Sequence, residues 1–210
     1  MARSAPFEAH SGRYEKWFAR HEAAYASELL AVRALLPYQG KGLEIGVGTA
    51  RFAAPLGIEF GLDPAAAMLA HARQRGVKVV RGVAEALPFT ADSFDYALMV
   101  VVLSFLDDAP AGLAEIRRVL RPGGALVIAF IDKGAPSGKA YLARHAHKVF
   151  FRDATFYDGE KVQQLLGDAG FRDLRWGQTL FRQPEDLTEI EPLRSGHGSG
   201  AFAAVRATSD

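Results

Sequence analysis

The chain has 210 residues, 49% of them hydrophobic and 23% charged, enough apolar material for one large domain with its own core. Its 25 basic and 24 acidic side chains leave a formal net charge of +1, so no excess basic field stands ready for a nucleic-acid backbone. The lack of cysteine excludes disulfides, thiolate nucleophiles and cysteine-based zinc sites.

Residues 1–17 contain no apolar run of signal-peptide length, and the most apolar segment, residues 96–106, is too short to span a bilayer. A cytoplasmic protein with no membrane partner is expected. After Tyr14 a helical stretch runs to about Leu36, where Pro37 and Gly40 break it. Strands then alternate with helices, the strands over residues 42–45, 58–62, 77–80, 94–102 and 125–131. Asp63 can cap a helix that has Pro64 at its first position and Met68, Leu69 and Ala72 on one face. Asp107 or Asp108 can cap the next, with Leu113, Ile116 and Leu120 at inward spacing. Asp158 can cap a third, in which Val162, Leu165, Leu166 and Ala169 keep helical spacing until Gly170 ends it. Two late strands, residues 174–181 and 201–207, close the chain. Such alternation predicts a mostly parallel sheet covered on both faces, with ligands at the carboxyl ends of the first and fourth strands.

The segment Gly42-Leu43-Glu44-Ile45-Gly46-Val47-Gly48-Thr49-Ala50-Arg51 reads as a buried strand that breaks into a glycine turn and opens a helix. Glu44 sits two positions before the first turn glycine, and Asp63-Pro64 follows where a second strand ends. Bare backbone lets a nucleotide approach closely, and a later carboxylate can grip a ribose diol. A dinucleotide fingerprint needs a glycine at position 51, which is Arg51; Ala50 instead completes a G-x-G-x-A pattern.

On these residues the chain resembles the class I S-adenosylmethionine (SAM)-dependent methyltransferases, in particular their small-molecule type 11 branch, from about Tyr14 to Phe171. The resemblance implies an α/β, Rossmann-like, seven-stranded, mostly parallel sheet with an antiparallel last strand and helices on both faces. It implies a single domain over residues 1–210, with a helical lid segment at 1–36 and substrate-side insertions at 132–158 and 182–199.

For the site, the resemblance implies that backbone at Gly46 and Gly48 lies against the methionine part of SAM and that Glu44 holds its ammonium through water. Asp63, in the segment Gly61-Leu62-Asp63-Pro64, accepts from the ribose diol, a role compatible with helix capping. The segment from Arg81 to Phe89 resembles the family's G-D-A-E-x-L-P-F adenine loop, with Val83 where an aspartate often accepts the adenine amino group. Ala84 backbone and Glu85 remain for the adenine. At the exit of the fourth strand stand Val101, Val102, Leu103, Ser104 and Phe105, where many relatives carry Leu-Glu-His and with it an obvious base. The segment from Glu115 to Gly124 matches the family's helix exit into strand 5. Tyr14 and Trp17 belong to a Tyr-x-x-Trp-Phe stretch that forms part of a lid over SAM, or else they anchor the first helix.

Residues 132–158 carry Lys139, Tyr141, Arg144, His145, His147, Lys148 and Arg152, read either as a pocket for an anionic substrate or as a solvated helix face. No third ligand accompanies the two histidines, and no metal is expected. In the glycine-rich stretch 189–200, His197 is a candidate proton acceptor, with Tyr141 the other catalytic candidate; a plain hairpin connection is the alternative. The expected function is transfer of a methyl group from SAM to a small-molecule acceptor, leaving S-adenosylhomocysteine. A SAM-binding sensor without turnover and a nicotinamide-dependent oxidoreductase are the rivals. The acceptor, its nucleophilic atom, the need for a base and the oligomeric state are not specified by these residues.

Overall fold

Side chains alternate across the strands and so divide the apolar residues into two cores, one on each face of one sheet. A computed structural model describes residues 3–209; Met1, Ala2 and Asp210 of the expected domain lie outside the described residues. Leu126, Ile128 and Phe130 of strand β5 (Leu120–Ile131) enter one core, while Ala125, Val127 and Ala129 enter the other. Strand β4 (Phe94–Val100) splits likewise, with Ala97 and Met99 on one face and Tyr96 and Leu98 on the opposite one. Phe94, Phe130, Phe171 and Phe202 are each under 2% exposed or at that limit, and such a ring is worth about 3–5 kcal/mol against alanine.

The remaining strands are β1 (Gly42–Ile45), β2 (Phe60–Asp63), β3 (Lys78–Arg81), β6 (Phe171–Thr179), β7 (Arg194–Ser195) and β8 (Phe202–Ser209). They form one eight-stranded sheet in the order β3-β2-β1-β4-β5-β8-β6-β7. The first five pair in parallel. Strand β8 is antiparallel to both β5 and β6, so β6 runs in the direction of the first five. The expected architecture holds except in strand number: the two-residue β7 pairs with β6 at the edge and makes eight strands, not seven.

The helices are α1 (Ala5–Ala9), α2 (Ser11–Arg20), α3 (Glu22–Leu35), α4 (Ala53–Leu56), α5 (Ala66–Gln74), α6 (Ala109–Val119), α7 (Pro136–His145) and α8 (Gly159–Asp168). Helices α6 and α8 cover one face through Leu113, Ile116, Val162 and Leu166; α3, α4 and α5 cover the other through Ala31, Val32, Ala53 and Leu69. Asp108 caps α6 by accepting from Ala111 N–H at 3.0 Å, and Asp158 caps α8 by accepting from Lys161 N–H at 2.9 Å.

Three local expectations change. The helical stretch expected from Tyr14 to Leu36 is two helices, α2 and α3, parted at His21, whose backbone leaves the helical region, and the short α1 precedes them. Helix α5 begins at Ala66 rather than Pro64, because the Asp63 carboxylate is engaged with Ala65 and the glycine loop. Leu120 opens β5 instead of closing α6, and residues 121–124 bulge between the Phe94–Leu120 and Tyr96–Ala125 pairs. The chain leaves β1 for β2 on one side and returns from β3 to β4 on the other, which opens a crevice at the strand tips.

Candidate functional site

The loop after β1 owes its shape to left-handed backbone at Gly46, Gly48 and Ala50, with φ of 68°, 53° and 61°. A Cβ on Gly46 would lie 2.2 Å from Val102 Cγ2, so only glycine fits between β1 and the end of β4. A Cβ on Gly48 would meet nothing closer than 3.8 Å, where the Met68 and Tyr14 side chains stand across open space. The loop is tied to β2 by Val47 N–H donating to Leu62 C=O at 2.9 Å.

Asp63 fastens the other side. One carboxylate oxygen accepts from Ala65 N–H at 2.8 Å and the other from Gly48 N–H at 3.0 Å. Burial pushes this carboxyl up to about 6 against the pull of those two N–H groups. Glu44 lies beneath the loop, behind the cavity wall rather than on it, 2% exposed, with Oε2 buried and without a partner among the described residues. Burial holds its carboxyl well above the usual range, and the nearby Asp63 charge adds to the shift.

Above the strand tips opens a cavity of about 490 Å³, within the usual range for a small-molecule site. Its wall includes Gly46, Gly48, Asp63 and Pro64 on one side and Ala84, Glu85 and Val101 on another. Val83, where the family often has an acid, is also on the wall. Glu85 accepts from Asp107 N–H at 2.9 Å and Asp108 N–H at 3.3 Å, so its carboxylate holds the loop that starts α6. Val101 adopts φ of 60°, a costly backbone for a β-branched residue, and donates its N–H to Ala129 C=O at 2.7 Å. That bond turns the chain out of β4 at the cavity edge.

Helix α2 brings Tyr14 and Trp17 to the same wall. Both rings also pack edge-on against Phe18, at 5.1 Å and 5.2 Å, so they line the cavity and anchor α2 at once. Burial first, then the charges of Glu44, Asp63 and Glu28, push the Tyr14 phenol far up. The helix is held down by Glu15, whose carboxylate takes Arg51 and Arg75 at 2.6 Å each. Arg75 also donates to Thr49 C=O at 2.7 Å, so this ion-pair group ties α2 to the glycine loop. The Arg51 that excluded a dinucleotide fingerprint thus holds the helix over the loop. Glu15, Arg51 and Arg75 were not among the expected site residues; no local pattern joins three charges so far apart in sequence.

Burial alone would raise the Glu15 carboxyl, but the hydrogen bonds from Arg51 and Arg75 outweigh it and lower it from the usual 4.5 to about 2. Its folded value lies below its unfolded one. The stability it contributes is therefore fully present above pH 4.5 and lost as the pH falls toward 2. In Glu15→Gln this part of the acid limb should be missing, and melting temperatures measured across that window check it.

The insertion and the late connection meet at the far end of the cavity. Tyr141, on α7, is buried and on the wall, and His145 stacks on it at 4.2 Å between ring centres. His145 Nε2 stands 3.1 Å from Glu185 Oε1, which joins residues 132–158 to residues 182–199. Burial pushes the Tyr141 phenol far up, with the Glu28 and Glu185 charges adding. His147 is exposed and outside the wall.

His197 stands elsewhere. Its ring packs 4.5 Å from that of Trp176, and a Cβ on Gly159 would strike it at 2.1 Å from Nδ1. Gly198 N–H donates to Asp132 and Ser199 N–H to Gln178, at 2.9 Å and 2.8 Å, and fix the loop in this direction. His197 is absent from the cavity wall, so its expected role as proton acceptor is withdrawn.

Four carboxylates reach the wall: Glu28, Asp63, Glu85 and Glu185. Of the wall's lysine and arginine side chains, Arg13, Arg20 and Lys148 are exposed and Arg3 is half-buried. No group of three or more described His, Asp or Glu side chains converges to hold a metal, and no described helix is long and apolar enough to cross a membrane.

Comparison with known proteins agrees with this geometry. Residues 43–128 match a family model described as a methyltransferase domain. A crystal structure from Thermotoga maritima, named a SAM-dependent methyltransferase and possible histamine N-methyltransferase, superposes with a TM-score of 0.95 at 44% identity. That match covers 99% of this chain and 100% of the other. An uncharacterized protein of Methanocaldococcus jannaschii is 36% identical over 96% of this chain and 97% of its own length. A demethylmenaquinone methyltransferase of Lactococcus lactis is 29% identical over 71% of this chain and 56% of its own.

Proposed function

Because the chain belongs to the class I SAM-dependent methyltransferases, in their type 11 branch, we propose that it moves the SAM methyl group to a small acceptor inside the cavity over the strand tips. It is an enzyme, and SAM is its cofactor. The observation that carries the site assignment is the pair of buried acids around the glycine loop, Glu44 with an unpartnered oxygen and Asp63 beside an open cradle at Gly48. A cationic amino-acid portion and a ribose diol are the chemistry such a pair satisfies.

When bound, SAM supplies a methyl group on a sulfonium, already a good leaving group. The chain's own residues then have to bind, align and exclude water. Glu44 would hold the methionine ammonium through a bridging water, a partner for its orphaned oxygen. Asp63 accepts from the ribose diol, and Pro64 packs beside it. Gly46 and Gly48 admit the methionine chain. Val83, Ala84 and Glu85 enclose the adenine, with the Ala84 backbone reading its edge and Val83 giving apolar contact in place of a carboxylate. Val101 would line the cofactor site at the end of β4, and Tyr14 and Trp17, in the lid segment 1–36, would cover the cofactor with aromatic faces that suit a sulfonium. Residues 132–158 and 182–199, joined by His145 and Glu185, shape the acceptor end with Tyr141.

The relatives' names differ in acceptor, one being linked to histamine and another to demethylmenaquinone, so they support a small molecule without choosing its kind. The near-neutral charge favours the same class over a nucleic acid. Calorimetry should give saturable binding of both SAM and S-adenosylhomocysteine. Tritiated-methyl transfer to a metabolite pool should give a labelled small product. Absence of saturable binding would remove the assignment.

A further inference from the structure

Three of the four wall carboxylates are already held. Asp63 takes two backbone N–H groups, Glu85 takes two more, and Glu185 stands against His145. Glu28, on α3, is the fourth, and among the described residues no hydrogen bond or ion pair reaches it. It is half-buried and shares its wall with Tyr14, Trp17, Phe52 and Tyr141. A carboxylate in such aromatic surroundings is costly until something positive or hydrogen-bonding meets it. Among the described residues nothing positive on the wall pairs with it: Arg13, Arg20 and Lys148 are exposed, Arg3 donates to Thr155 at 2.9 Å, His21 Nδ1 stands 2.9 Å from Trp17 C=O, and His145 faces Glu185.

Its position is equally informative. The Glu28 charge acts on Tyr14, which faces Gly48, and also on Tyr141, which Glu185 influences from the far end. Glu28 thus lines the same cavity as Tyr14 and Gly48 at the glycine loop and as Tyr141 and Glu185 of the two late segments.

We propose that the acceptor is an amine and that Glu28 receives its ammonium form and takes one proton from it ahead of methyl transfer. This rests on the methyltransferase reading given above. The step balances as follows in atoms and charge. The Glu28 carboxylate accepts a proton from R–NH3+ and leaves R–NH2. The nitrogen lone pair forms the C–N bond as the C–S bond breaks, and that bonding pair stays on sulfur, which becomes a neutral thioether. The product leaves as a methylammonium ion, and the proton on Glu28 passes to solvent. Aromatic rings around the site suit two cations in turn.

Burial pushes the Glu28 carboxyl up to about 8, close enough to an ammonium for proton exchange. The titratable and charged groups that share this wall are Arg3, Arg13, Tyr14 and Arg20 of α2, His21 before α3, Asp63 of β2, Glu85, Tyr141 and His145 of α7, Lys148 and Glu185, and the Glu28 charge also reaches Tyr25 of α3. The phenols stay protonated across the working range, being pushed up by burial.

The test uses wild type and Glu28→Gln with tritiated-methyl SAM, phenethylamine and benzylamine as amine probes, and catechol and hydroquinone as neutral ones. Wild type should methylate the amines, with kcat/KM rising with pH through about 8 as Glu28 ionises. Glu28→Gln should lower kcat/KM by about a hundredfold or more and erase that limb. Calorimetry should find its SAM affinity unchanged, which also shows that the variant is folded. Preference for the phenols overturns the amine assignment and leaves the methyltransferase intact. Equal amine turnover by Glu28→Gln overturns the role of Glu28, as does a matching loss of SAM binding, which would move the residue to the cofactor end. Failure of wild type to bind SAM at all would instead sink the reading beneath it.

Discussion

Asp63→Ala should weaken SAM binding by about a hundredfold or more, since two hydrogen bonds to a charged acceptor contribute roughly 3–6 kcal/mol together. The same carboxylate also accepts Gly48 N–H and Ala65 N–H, so its removal frees two buried donors and slackens the glycine loop. Asp63→Asn keeps a single acceptor oxygen and should fall between wild type and alanine. The elevated value of about 6 adds a pH test. A protonated Asp63 is a poorer acceptor, so the dissociation constant for SAM should climb as the pH drops below about 6 and level off above it. That dependence should vanish in the alanine variant. Isothermal titration of the three proteins at several pH values decides it, and alanine binding SAM as tightly as wild type would remove Asp63 from the ribose.

Much of the framework was legible because its signals are local. Glu44, Gly46, Gly48 and Asp63 lie within one strand–turn–helix–strand unit, where spacing alone sets which groups converge. Asp108 and Asp158 were readable as caps for the same reason: the acceptor and the N–H it meets are three residues apart. The acceptor end was harder. His197 is polar, flanked by glycines and near a strand end, yet the hydrogen bonds of Gly198 and Ser199 to Asp132 and Gln178 turn it toward Trp176. The pairing of Arg194 and Ser195 with β6 depends on a partner some 17 residues earlier and has no period of its own over two residues. Glu28 looks like an ordinary helix-surface acid; only the assembled cavity, whose wall also takes Tyr14 and Trp17 of α2 and Tyr141 of α7, makes it part of a site.

Glu44→Gln should separate stability from function, gaining one while losing the other. Glu28, Glu44 and Asp63 all hold their protons more tightly in the folded chain than in the unfolded one. Protonation thus favours the fold. The stability that these three groups contribute to the ligand-free protein is fully present below their unfolded values and is lost as pH rises, through the interval from 3.8 to about 6 for Asp63 and from 4.5 to about 8 for Glu28, opposite in sign to the contribution of Glu15. Glutamine at position 44 imitates the neutral acid, so the variant should match or trail wild type near pH 5 and melt higher near pH 9. The gap at alkaline pH should reach about 1–3 kcal/mol, the cost of burying an ill-satisfied polar group. SAM affinity should move the other way and fall about tenfold to a hundredfold, because the charge that strains the empty fold is the one that meets the methionine ammonium. Wild type with saturating SAM should regain its alkaline stability, since a cation lowers the carboxyl that burial raised. Parallel melting curves with and without SAM measure both halves, and a variant that is no more stable at pH 9 yet still loses SAM would mean that Glu44 is already neutralised by a group of the chain itself.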